Sequence, residues 1–171
     1  MAYNIHPIFV HFPIAFLLLY SIIKIVPFKK WLPTMSWKDI ERVLLLVGVV
    51  GAYIASSTGE IAEQLVRPSH QLLETHALFA GITTWLYGAL LLGELLVLLT
   101  PFLSRKFTTP KIIALLISIQ MFLTHRTVAV ALALLGLVAL SVTGLLGGVM
   151  VYGTSADPLA GIVLKLLGLT Y

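Results

Sequence analysis

ALFAGITTWLYGALLLGELLVLL, residues 77–99, holds a single charged side chain, Glu94, in 23 residues. As a helix it would extend about 34 Å, slightly more than a bilayer's hydrocarbon thickness of about 30 Å. Upstream, Ser69 is a good N-cap and His70–Thr75 form a solvated first turn. Downstream, Pro101 is expected to end the helix. Three further segments read the same way. Ile8–Val26 is apolar and closes on Pro27, Lys29, Lys30, Trp31 and Pro33. Residues 42–60 follow Ser36 and Asp39, which read as a variant capping box, and end before Arg67-Pro68. The run Lys111–Tyr152 is about twice a crossing, so 111–124 is read as an amphipathic or tilted lead-in and 127–152 as the fourth span. After Gly153, the tail of about 158–170, with Pro158 at an expected N1 position, is too short to span and is read as interfacial.

The expected fold is therefore an all-α integral membrane four-helix bundle with short interfacial helices. It forms one transmembrane domain over residues 1–171, with spans of about 8–26, 42–60, 77–99 and 127–152. Composition agrees: 59% of residues are apolar and 11% charged, and mean hydropathy is +1.03. A soluble domain carries about 25% charged residues. The absence of cysteine excludes thiolate metal sites, iron–sulfur clusters and covalently attached haem. No P-loop, GxGxxG, GxSxG or HExxH motif occurs, so nucleotide-binding and hydrolase readings have no support, and an electron-transfer or structural role is expected over an enzyme. The net charge of +4 is read as topology rather than as a nucleic-acid footprint.

Lysine and arginine set the expected orientation. Lys24, Lys29, Lys30, Lys38, Arg42, Arg105, Lys106, Lys111 and Arg126 fall on one side, and Arg67 and Lys165 on the other. The rule that positive loops stay inside places both termini outside the cell membrane. The start of the chain lacks a basic n-region, so the first span is expected to be retained.

That topology gathers His6, His11, His70 and His76 in one outer layer, with Glu60, Glu63 and Glu74 beside them. Ionisable groups near hydrocarbon are costly and point to function. The plainer reading is that interfacial histidines cap helix ends or meet lipid headgroups. His11 and His76 resist it best, because His11 lies within its span and His76 heads the helical row His76, Ala80, Thr83, Tyr87. His6 and His70 are read as more exposed, and the three glutamates as solvated helix ends. Glu94 belongs to the other edge, as an ion pair with Lys24 or Arg126. His125 has no second histidine in its layer. Small residues line one face of the second span (Gly48, Gly51, Ala52, Ala55, Ser56, Gly59). They also line one face of the fourth (Ala129, Ala133, Gly136, Thr143, Gly144, Gly147, Gly148). Both faces suit close helix packing, the commoner use of such rows, and the second could instead form the floor of a porphyrin.

The decapeptide His6-Pro7-Ile8-Phe9-Val10-His11-Phe12-Pro13-Ile14-Ala15 resembles the opening motif of the small membrane family catalogued as domain of unknown function 2231. Thr58-Gly59, His76, Thr143-Gly144 and Gly147-Gly148-Val149-Met150-Val151-Tyr152-Gly153 are similar to its other landmarks. The resemblance implies a four-span bundle and, through members that look joined to cytochrome c domains, respiratory electron transfer. Where members often carry a histidine after the Val-Tyr pair, this chain has Gly153-Thr154.

The leading expectation is a prokaryotic membrane protein of electron transfer that binds b-type haem on the outer side. His11 and His76 would be its iron ligands. One alternative is a zinc, copper or iron ion held by the same histidines with His6, His70, Glu60, Glu63 or Glu74. Another is a cofactor-free structural subunit of a larger respiratory complex. Expected partners are the lipid bilayer, other membrane subunits or a cytochrome c-type redox protein, and not nucleic acid.

Overall fold

The computed structural model describes residues 4–66, 68–106 and 109–169. Six α-helices follow in order: α1 (His6–Ile25), α2 (Trp37–Val66), α3 (His70–Lys106), α4 (Pro110–Thr124), α5 (Arg126–Tyr152) and α6 (Ala160–Leu166). Among the described residues there is no strand, and α1, α2, α3 and α5 are long and apolar enough to cross a membrane. The expected all-α membrane bundle is the architecture found. Arg67 of the charge count and the final residues of the tail lie outside the described segments.

The helices overrun the expected spans. Helix α1 starts at His6 because Pro7 occupies its first turn, where a missing N–H costs nothing. Helix α2 starts at Trp37, and the Ser36 carbonyl accepts the N–H groups of Asp39 and Ile40 at 3.0 and 3.2 Å. Asp39 turns to Arg42, at 3.5 Å, instead of closing a capping box. Pro101 does not end α3, which continues to Lys106. The hydroxyls of Thr100 and Ser104 donate to the carbonyls of Leu96 and Pro101 at 2.6 and 3.1 Å, so backbone polarity around the proline is partly met by neighbouring side chains.

The long apolar run after Lys111 is cut at His125, whose extended backbone (φ −60°, ψ 129°) ends α4 and begins α5. Helix α4, at 15 residues, reaches only about 22 Å and is a lead-in rather than a span. It docks on α3 at Gly93, where an added Cβ would lie 2.9 Å from the Cβ of Leu123. The tail also differs from its expected place. Pro158 precedes the helix instead of starting it, and Asp157 Oδ1 accepts the Leu159 N–H at 2.7 Å. Ala160, Leu164 and Leu169 then pack with Leu72, Leu146 and Val149, so α6 is held by the protein's own apolar surface.

The bundle consists of two hairpins. Helix α1 packs most closely on α2, and α3 on α5; the contacts α1 with α5 and α2 with α3 close the ring. Small residues on α2 and α5 make the close approach possible. Gly48 lies under Leu17, Gly51 under Pro13 and Gly136 under the ring of Tyr87. At the centre, Tyr20 and Tyr87 meet edge to face at 6.1 Å, and Ser21 Oγ and the Tyr87 hydroxyl hydrogen-bond at 2.6 Å. In the turn between α1 and α2, Phe28 stacks on Trp37 and meets Trp31 edge-on, while Trp37 Nε1 donates to the Leu32 carbonyl at 2.8 Å. The third tryptophan, Trp85, points out of α3 and is 78% exposed.

Candidate functional site

One end of the bundle carries ion pairs and the other carries histidines. At the ionic end, Lys24 of α1 pairs with Glu41 of α2 at 2.8 Å, and Arg42 of α2 pairs with Glu94 of α3 at 3.0 Å. The expected ion pair of Glu94 is present, but its partner is Arg42. Lys24 is already engaged by Glu41, and Arg42 sits one residue further along the same helix.

At the histidine end, two imidazoles are set in the same way. His6, at the start of α1, has Nδ1 3.1 Å from Thr58 Oγ1 on α2. The Thr58 hydroxyl donates its one proton to the Ala55 carbonyl at 3.0 Å, so it accepts from His6. His76, near the start of α3, has Nδ1 3.0 Å from the carbonyl of Thr143 on α5, which can only accept. Both rings therefore carry their proton on Nδ1 and present Nε2 as a lone pair. Among the described residues, no side-chain nitrogen or oxygen buried from water lacks a hydrogen-bond partner, so the unengaged Nε2 atoms are not sealed from their surroundings.

Each ring also lies against a glycine. A Cβ on Gly59 would stand 3.4 Å from His6 Cε1 and 3.8 Å from its Nδ1, and a Cβ on Gly147 would stand at the same two distances from His76.

The other expected site residues lie elsewhere. His11 is exposed, and its Nδ1 contacts the Pro7 carbonyl of its own helix. Five residues separate it from His6, about 140° around a helix at 3.6 residues per turn, so similar depth does not mean a shared face. His70 pairs with Glu74 at 3.3 Å on the surface. Glu60 and Glu63 are exposed, and so is His125 at the α4–α5 break. Among the described residues, no group of three or more histidine or acidic side chains is placed to hold a metal ion. Thr58, through its hydroxyl, and Thr143, through its carbonyl, are hydrogen-bond acceptors of the site that the sequence reading did not assign; their signal in the sequence was the pair of Thr-Gly landmarks, Thr58-Gly59 and Thr143-Gly144.

Fold and site together define a small polytopic membrane protein with a paired-histidine end. The family described as "Predicted membrane protein (DUF2231)" matches residues 2–157, and the chain belongs to it. No curated protein and no solved structure matches.

Proposed function

We propose that the protein is a membrane-embedded electron carrier that binds one b-type haem through Nε2 of His6 and Nε2 of His76. The observation that supports this most is the matched pair of imidazoles, each with Nδ1 committed to a hydrogen bond and Nε2 left free. A histidine ligand to iron characteristically has its second nitrogen engaged in this way, which fixes the tautomer and the ring plane. A low-spin haem takes two protein ligands, whereas a bare zinc ion takes three or four, and no such group of donors converges among the described residues. His6 replaces His11 in this reading because His11 is turned away from the bundle.

Bound iron would supply one-electron chemistry. The chain's own contribution is orientation: Thr58 and the Thr143 carbonyl hold the rings, and Gly59 and Gly147 let each imidazole lie close to a helix. The charge asymmetry supports a histidine end outside the cell membrane, where a cytochrome c-type partner would meet it. A single cysteine at Thr154 should then react with a membrane-impermeant reagent on intact cells, and one at Thr34 should not; the reverse pattern would invert the orientation.

A second reading has its own observation. His6 ties α1 to α2, and His76 ties α3 to α5, so both histidines also act as hairpin clasps in a cofactor-free structural subunit. Absorption spectra of the purified protein, oxidised and reduced, separate the two. The haem reading expects a Soret band and a sharp α band on reduction. Protein that stays colourless after incubation with hemin leaves the clasp.

A further inference from the structure

The contacts of the two hairpins repeat in register. His6 and Leu17 are eleven residues apart on α1 and lie on Gly59 and Gly48, eleven apart on α2. His76 and Tyr87 are eleven apart on α3 and lie on Gly147 and Gly136, eleven apart on α5. One shift of seventy positions carries α1 onto α3, and one of eighty-eight carries α2 onto α5. Under these shifts most buried positions fall on buried positions, among them Pro13 on Thr83, Tyr20 on Leu90, Leu45 on Ala133 and Gly51 on Ala139, while Ser21, Val49, Ala55 and Ala62 fall on the half-buried Leu91, Leu137, Thr143 and Met150. The approaches between hairpins match as well, since α1 meets α5 much as α3 meets α2, while the backbones of the diagonal pairs stay apart and α1 reaches α3 through the side chains of Tyr20, Ser21 and Tyr87. The shifts differ by eighteen positions, and the added length falls in the second hairpin's connection, where α4 lies.

We infer that the four spans are two copies of one helical hairpin related by a two-fold axis along the bundle, and that His6 and His76 are the equivalent halves of one site on that axis. Parallel repeats about an axis normal to the membrane are a known way to build membrane proteins. The equivalence points to a ligand that would accept two like nitrogen lone pairs, as the iron of a haem would. This assignment of ligand rests on the haem reading above, whereas the repeat does not. His11 has no counterpart, because the same shift places it on Gly81, beside which a Cβ would meet nothing within 4 Å.

Two measurements on the full-length protein test the inference. In the first, wild type and the variants His6→Gly, His76→Gly and His11→Gly are titrated with hemin, with and without imidazole. Wild type and His11→Gly are expected to give the low-spin spectrum. His6→Gly and His76→Gly should lose it to the same extent, and added imidazole should restore it in both. Loss in only one of those two, or loss in His11→Gly, overturns the equivalence of the half-sites. In the second, spin labels are placed on lipid-facing equivalent positions as the pairs Ile8/Val138 and Leu78/Val50, which the axis interchanges. Equal mean distances are expected, and a difference of more than one helical turn, about 5 Å, overturns the repeat. Wild type that binds no hemin while the distances agree removes the haem reading and leaves the repeat standing.

Discussion

Leu17 and Tyr87 are fully buried, and each rests on a glycine that a methyl group would crowd. A Cβ on Gly136 would lie 2.8 and 2.9 Å from the Tyr87 ring, which cannot fold aside as an aliphatic chain can, and the ring's hydroxyl is held by Ser21. Overpacking of this kind costs about 1–3 kcal/mol, while replacing a helical glycine by alanine returns about 1 kcal/mol. Gly136→Ala should therefore lower the unfolding temperature in detergent. Gly144→Ala should leave it unchanged or raise it, because nothing lies within 4 Å of its Cβ. Equal losses at both positions would refute the packing assignment. The contrast also shows where sequence reading stops. Gly136, Gly144 and Gly147 look alike as members of a small-residue face, but only rotation about the helix axis decides which of them a neighbour covers. The same limit separated His6 from His11.

At the scale of the helix, α2 joins the two hairpins at their ionic end, pairing with α1 through Glu41 and with α3 through Arg42. The Arg42 and Glu94 side chains are 27% and 19% exposed, so removing one partner strands a charge that water reaches only in part. Arg42→Met should cost about 2–3 kcal/mol, less than the 3–5 kcal/mol of a fully buried pair. Arg42→Met combined with Glu94→Leu should cost less than either replacement alone, which a double-mutant cycle of unfolding free energies would check. Additive losses would mean that the pair is not coupled. Most helices were legible beforehand because 20 or so apolar residues in series have few other folded solutions. Their ends were not, since Pro101 and the polar turns past Arg42 and Glu60 continue as helix outside the apolar segments. The partner of Glu94 was hidden for another reason: charge proximity in sequence says nothing about which helices are neighbours in the ring.

For the molecule as a whole, the family, the four spans and the gathering of His6 and His76 at one end follow from local sequence and alternating direction. The match between the hairpins was present in four spacings of eleven residues, but it becomes visible only when contacts show which glycine serves which side chain. The outward projection of Trp85 gives the molecule a built-in gauge of its position in the bilayer. Trp31 and Trp37 are confined to the turn between α1 and α2, whereas Trp85 stands about 12 Å along the apolar segment of α3 that begins at Ala77. In vesicles whose acyl chains carry bromine, the fluorescence of a Trp31→Phe/Trp37→Phe variant should be quenched strongly by bromines deep in the chain. A Trp85→Phe variant should respond instead to bromines near the headgroups, so two emission spectra would read the depth and tilt of the bundle without any external label.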